Sequence, residues 1–306
     1  MITNTVKRSP LFYVGDKYKL IAQIKPLFPH KVNTFFEPFV GGGSVFLNVD
    51  AKNYYLNDVD ENLIKIHKYL VNIAEKSDYF FNNIEKIINA YNLSKSYKED
   101  IVPDILKRKW KKTYFARFNK PGYMKLRENF NKHYDKDPLN MYVLLIYGFN
   151  RMLRFNGKGE FNLPVGNVDF NNNVVKALND YFDYVKERKV IFESRDFRKF
   201  LYNKDYSEKD FIYFDPPYLI TFSEYNKFWN EENEIDLLNI IDELNKKDIK
   251  FALSNVVKYK GRENKILSKW MNKYNIYTIS SNYISYYNNS KKDIKEVLIT
   301  NYGKNN

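Results

Sequence analysis

Short runs of β-branched and aromatic residues recur along this chain. Between them lie stretches whose apolar residues repeat every three to four positions. Seven of the runs predict strands, at 33–36, 53–56, 189–193, 210–214, 250–254, 275–280 and 295–301. Three apolar stripes predict helices between them: Leu63, Ile66, His67 and Leu70; Leu237, Ile240, Ile241 and Leu244; and Ile266, Trp270 and Tyr274. Strands alternating with helices predict an α/β fold with a doubly wound, mostly parallel sheet of seven strands. No helical pattern separates the last two strands, which therefore predict an antiparallel hairpin at the sheet edge.

The alternation breaks between residues 78 and 171. This stretch opens on a helical stripe (Ile84, Ile87, Ile88, Tyr91) and then turns basic, with Lys107, Arg108, Lys109, Lys111 and Lys112 around Trp110, followed by Arg117, Lys120, Lys125 and Arg127. Trp110, Phe115, Phe130 and the apolar run 141–149 promise it a core of its own, so it reads as a mainly helical inserted domain. The expected division is 1–77 with 172–306, and 78–171 between them. No internal repeat is present, and the tail 303–306 is expected to fray.

Composition narrows the function classes. The absence of cysteine excludes disulfides, thiolate metal sites and cysteine nucleophiles, and with them C5-cytosine methylation, which needs such a nucleophile. A formal charge of +13 favours a polyanionic partner. The longest apolar run has nine residues, against the ~18–20 needed to span a membrane, and the N-terminal segment lacks an apolar signal-peptide core. The expectation is a soluble cytoplasmic protein with no membrane partner. The 27 Tyr and 24 Phe offer stacking platforms for bases, or else reflect an AT-rich genome. His30, His67 and His133 have no metal-ligand spacing, so no metal is expected, and His67 reads as structural.

Two segments carry chemistry. In FFEPFVGGGSVFLN, residues 35–48, three glycines follow the first strand, where the missing Cβ atoms let backbone approach a ligand; a plain glycine turn is the alternative. The spacing is not that of a dinucleotide fingerprint. The second strand ends at Leu56-Asn57-Asp58, where a carboxylate can take the ribose hydroxyls of an adenosine-containing cofactor. Asp60 suits the following helix cap, which leaves Asp58 for the ligand. In FIYFDPPYL, residues 211–219, an apolar strand delivers Asp215 to its end, and Pro216 and Pro217 forbid further pairing. An exocyclic amino nitrogen has its lone pair delocalised into the base. Two acceptors on its hydrogens, Asp215 and the Pro216 carbonyl, favour a pyramidal nitrogen aimed at a methyl donor, with Tyr218 stacked on a flipped base.

FEPFVGGGS with DPPY resembles the Dam-type DNA adenine-N6 methyltransferases of the α group, which use S-adenosylmethionine, and the resemblance runs from about Ser9 to Tyr302. It implies the methyltransferase sheet and a target-recognition role for 78–171. Tyr13-Val14-Gly15-Asp16-Lys17 is similar to the family's tryptophan–x–glycine–glycine–lysine segment, departing at Tyr13 and Asp16 and keeping Lys17. The cofactor candidates implied are Tyr13, Lys17, Phe36, Glu37, Pro38, Phe39, Gly41, Gly42, Gly43, Ser44, Asp58, Asp196, Phe197 and Asp215. Within that set Asp196-Phe197 matches the pair that holds the cofactor adenine, with a helix cap as the alternative for Asp196. The catalytic candidates are Asp215, Pro216, Pro217 and Tyr218, and Ser254-Asn255 matches a strand end that would wall the site. In the insertion, 149–166 resembles the family's recognition hairpin. There Arg154 is the leading base reader and Asn156, Lys158 and Arg151 are further DNA contacts. Lys111 and Lys112 are expected on phosphates.

The reading is a site-specific DNA adenine methyltransferase with double-stranded DNA as partner. It is expected to be monomeric, bacterial, archaeal or phage in origin and nucleoid-associated, in a restriction–modification or Dam-like system, with a cognate endonuclease as a functional partner. Cytosine N4 or RNA adenine as acceptor stays open, as does a non-catalytic DNA-binding module. GATC is the target commonest in the family, whereas the YVGDKY variant resembles methylases of asymmetric sites.

Overall fold

The computed structural model describes residues 6–133, 135–202, 204–221, 229–280 and 294–303; the expected fraying at 304–306 lies outside them. In chain order the elements are α1 (Ile21–Ile24), β1 (Val32–Glu37), β2 (Ala51–Asn57), α2 (Glu61–Ile73), α3 (Ser77–Ala90), α4 (Asp104–Lys109), α5 (Tyr114–Lys132), α6 (Pro138–Tyr147), α7 (Asn172–Lys186), β3 (Lys189–Glu193), α8 (Phe197–Tyr202), β4 (Phe211–Phe214), α9 (Glu231–Lys246), β5 (Lys250–Tyr259), β6 (Arg262–Glu263), α10 (Lys265–Trp270), β7 (Asn275–Ile279) and β8 (Ile294–Thr300). They gather into two compact units. One takes the chain up to Asp16, Gly41–Leu47 and Asp60–Arg188; the other takes Lys17–Val40, Asn48–Val59 and the chain from Lys189 onward.

All the strands belong to the second unit and form one mixed sheet in the order β3-β2-β1-β4-β5-β8-β7, with β6 paired to β5. The five strands from β3 to β5 pair in parallel, while β8 runs antiparallel to both β5 and β7. This is the expected sheet, with the predicted hairpin at its edge. The strand predicted at 250–254 runs on to Tyr259. Ser254 and Asn255 look like a strand end because they are polar, yet both are buried and bonded. Ser254 Oγ lies 2.7 Å from the Tyr213 hydroxyl, and the Asn255 amide donates to Glu234 at 3.1 Å.

One face of the sheet packs on α8, α9 and α10 through Phe36, Ile212, Phe214, Phe251, Leu253 and Ile299. The predicted stripe on α9 turns Leu237, Ile241 and Leu244 inward, each worth about 1.5–3 kcal/mol of burial. Asn230 caps that helix through the backbone N–H of Asn233, and three glutamates in its first turn suit the helix dipole.

The first unit is helical, and residues 78–171 fall wholly inside it together with helices from either side. α2 packs on α6 and α7, and Phe80 of α3 meets Tyr142 of α6 and Phe182 of α7 edge-on or tilted. The apolar run is α6, with eight of its ten residues buried. Among the described residues no helix is long and apolar enough to cross a membrane. The core predicted for this stretch needs correction. Phe130 is buried, but Trp110 and Phe115 are only half-buried and Phe149 is 51% exposed. The Arg117 guanidinium covers the Trp110 ring at 4.1 Å, so that ring serves a cation. Tyr123 and Leu126 of α5 take the place expected of Trp110 and Phe115.

Candidate functional site

In a parallel sheet, ligands bind beyond the carboxyl ends of the strands, where the strand order reverses. Here the reversal lies between β1 and β4, and the acidic candidates sit at those ends. Glu37 closes β1, Asp58 follows β2 and Asp215 follows β4. Glu37 is 1% exposed, a placement that demands partners for its charge.

The tightest cluster joins four residues of the second unit. Lys17, almost fully buried, places Nζ 2.7 Å from Asp215 Oδ2. The Tyr218 hydroxyl lies 3.0 Å from Asp215 Oδ1 and 3.3 Å from Glu296 Oε1. Lys17 Nζ also stands 5.1 Å from the Tyr218 ring centroid. Lys17, Asp215 and Tyr218 were all expected at the site; Glu296 was not. In sequence it is one acidic residue at the start of an apolar run, indistinguishable from a solvated edge position. Behind the cluster, burial and then the Asp215 charge, with weaker contributions from Glu37 and Glu296, push the Tyr213 phenol well above its ordinary pKa. It stays neutral and braces Ser254. Ser254 thus reaches the site through Tyr213, whereas Asn255 turns to Glu234, whose carboxyl is raised by burial.

Beside Glu37, Phe39 and Phe197 approach at 5.4 Å, and each lies 5.6 Å from Trp229, making a three-ring platform at the β1 and β3 exits. Phe36 is stacked on Tyr55 within the core. Asn57 is a residue the sequence reading passed over. Its amide donates to the carbonyls of Pro38 at 3.0 Å and Arg195 at 2.9 Å, and its oxygen accepts from the Arg195 N–H, tying three strand ends together. Asp196 takes the cap alternative, accepting from the Arg198 backbone N–H at 2.9 Å and pairing with its guanidinium at 3.2 Å.

In the first unit, the N-terminal segment and α2 hold the glycine loop. Ser9 donates to the Gly42 carbonyl, and a Cβ on Gly42 would stand 2.8 Å from Tyr13 Cβ. Gly43 has φ +78°, and a Cβ there would meet the Phe46 ring at 2.6 Å, so no other residue fits. Gly41, by contrast, opens onto free space. His67 is fully buried and its Nε2–H donates to the Gly41 carbonyl at 2.9 Å; burial lowers its pKa to about 4, so the imidazole is neutral. Asp60 caps α2, accepting from Asn62 and Leu63, as expected. Ser44 is buried next to the loop.

The predicted recognition segment is a tight hairpin bridged at Phe155 and Phe161. Arg154 is held within it, Nε donating to Asn162 Oδ1 at 2.8 Å and an Nη to Asn162 O at 2.9 Å. Asn156 builds the turn, accepting from the N–H groups of Lys158 and Glu160, which leaves Lys158 exposed at the tip. Arg151 is half-buried with φ +49° and lies 4.3 Å from the Phe12 ring. Lys111 and Lys112 are exposed, while Lys107 is paired with Asp100 at 2.5 Å.

A parallel sheet of this order, carrying Asp-Pro-Pro-Tyr at the β4 edge beside a buried lysine, is the framework of an α/β methyltransferase. Comparison with known proteins narrows the class. The chain belongs to the D12 class N6 adenine-specific DNA methyltransferase family, whose profile matches residues 13–285. It is 37% identical to the type II methyltransferase M.FokI of Planomicrobium okeanokoites over 98% of the chain and 44% of that protein. To the modification methylase StsI of Streptococcus sanguinis it is 35% identical over 96% of the chain and 43% of that protein. The DNA adenine methylase of Haemophilus influenzae is 31% identical over 74% of the chain and 69% of that protein. The chain thus spans less than half the length of the first two.

Proposed function

We propose that this chain transfers a methyl group from S-adenosylmethionine to N6 of an adenine flipped out of double-stranded DNA, at a specific site. The single observation that carries this is the Lys17–Asp215–Tyr218 cluster at the end of β4. The family supplies the adenine amino group as acceptor. The donor set fits the cofactor. Asp58 is an acceptor for ribose hydroxyls at the β2 exit, the three-ring platform suits an adenine, and Glu37, buried at the end of β1, offers a counter-charge to a cationic ligand. When bound, S-adenosylmethionine supplies an electrophilic methyl on a good leaving group.

The residues then act on the acceptor. Asp215 and the Pro216 carbonyl take the amino hydrogens, which localises the nitrogen lone pair. Pro217 keeps the segment extended and Tyr218 covers the base. The nitrogen gains the methyl and gives up a proton toward the Asp215 carboxylate. Arg154 reads a base edge; Arg151, Asn156, Lys158, Lys111 and Lys112 support the duplex. The names of the relatives support a restriction–modification setting.

Replacing Asp215 by Ala tests this. Single-turnover transfer of labelled methyl to unmethylated genomic DNA is expected to fall about 100-fold or more while S-adenosylmethionine still binds. Wild-type transfer by the variant refutes the mechanism. Nucleoside analysis of the product distinguishes N6-methyladenine from N4-methylcytosine, and an RNA arm settles the acceptor polymer.

A further inference from the structure

Glu296 is placed by topology. Because β8 runs antiparallel to β5, its first residues lie at the edge where the parallel strands end, and Glu296 stands opposite Val256 of β5 and Ile279 of β7. It is 1% exposed and is followed by Val297, Leu298 and Ile299, all fully buried. A carboxylate at such a position is costly to desolvate unless polar groups meet it. The Tyr218 hydroxyl meets it at 3.3 Å while also lying 3.0 Å from Asp215. A phenol has one hydrogen to donate, so the two carboxylates compete for it.

That competition bears on the proposed reaction, on which this inference rests. Asp215 has to accept an amino hydrogen, yet its Oδ2 is held by Lys17 and its Oδ1 by Tyr218. We propose that Glu296 is a positioning residue whose carboxylate takes over the Tyr218 hydroxyl, freeing Asp215 Oδ1 for the amino group of the target base. The handover needs only rotation about the Tyr218 C–O bond. The ring stays in place over Lys17, and no proton changes owner. Glu296 touches neither substrate nor cofactor in this account; it acts through Tyr218.

The test is a double-mutant cycle on the full chain. Labelled S-adenosylmethionine and unmethylated genomic DNA are used in single turnover, and S-adenosylmethionine binding and near-ultraviolet circular dichroism serve as fold controls. Glu296→Val is expected to slow transfer about tenfold or more, with DNA KM and cofactor affinity within about twofold. Glu296→Gln, whose amide oxygen still accepts the phenol, is expected to keep the rate within about threefold. In a Tyr218→Phe background, which has no hydroxyl to hand over, Glu296→Val is expected to change the rate by less than about twofold. Equal losses in both backgrounds, or no loss from Glu296→Val, overturn the inference. Should Glu296→Val fail to fold, Glu296→Met, closer in volume, gives the same comparison. Asp215→Ala separates the two levels. If it abolishes transfer while the cycle shows no coupling, the Glu296 role alone fails; if it transfers at the wild-type rate, the mechanism and the inference both fall.

Discussion

His67 ties the glycine loop to pH in a way that can be measured directly. Its imidazole is fully buried, donates to the Gly41 carbonyl and has its pKa lowered from 6.5 to about 4 by the cost of burying a charge. The folded state therefore binds this proton more weakly than the unfolded chain does. The stability it contributes is complete above pH 6.5 and is lost as pH falls toward 4. A shift of that size corresponds to at most about 3 kcal/mol, of which about 2 kcal/mol is gone by pH 5. Asp60, Asp169 and Glu234 have raised carboxyl pKa values, chiefly from burial, and work in the opposite direction, adding stability as they take up protons. The difference between the wild type and His67→Gln cancels them, since glutamine keeps a donor for Gly41 but does not titrate. Urea unfolding followed through tryptophan fluorescence, at pH 8 and pH 5, should show the wild type losing about 2 kcal/mol more than the variant. The chain has three histidines, so an imidazole NMR titration resolves the group itself. One resonance should fail to titrate above pH 5. A His67 midpoint near 6.5, or equal pH dependence in both proteins, refutes the burial argument.

Gly43→Ala combines a positive φ with a clash on the Phe46 ring and should lower stability by about 1–3 kcal/mol, read as a drop in Tm and a weaker S-adenosylmethionine complex; an unchanged Tm would show that the loop relaxes freely. Arg154→Ala should relax base choice at one position by about 1–3 kcal/mol, and Asn162→Ala, which releases two guanidinium contacts, should share part of that effect; a loss uniform over all DNA makes Arg154 a phosphate contact instead. Replacing Lys111 and Lys112 together by Ala should reduce the slope of log affinity against log salt by about 2, with site preference intact.

Legibility followed the physics of each position. All seven strands were readable from their β-branched and aromatic residues, and β4, buried on both faces as an uninterrupted apolar run, even announced its end with two prolines. The end of β5 was misplaced because Ser254 and Asn255 are polar by composition and core by bonding, and only their partners Tyr213 and Glu234 reveal it. Trp110 was misread for the reverse reason: a large ring predicts a core, but a guanidinium offered a competing surface. Of the residues in the strand-end cluster, Lys17, Asp215 and Tyr218 lie in local motifs and were named from the sequence. Asn57 and Glu296 were not, since their bonds cross between strands and no local motif includes those contacts. His67 fell between: its place on an inward helix stripe was visible, its bond to Gly41 was not.

The charge distribution gives these details a common logic. The overall +13 suits a polyanion, but the strand ends carry acidic groups, Glu37 buried at the end of β1 and Asp215 paired with Lys17 at the end of β4. Such a concentration of carboxylates is costly to bury unless donors or positive charge meet it. It would suit the cationic donor and the amino acceptor of the proposed reaction. Exposed Lys111, Lys112 and Lys158 supply the opposite sign at the proposed duplex contacts. The proposed reaction calls for both signs, a negative one for a cationic donor and a positive one for an anionic acceptor, and each unit of the chain carries one of them.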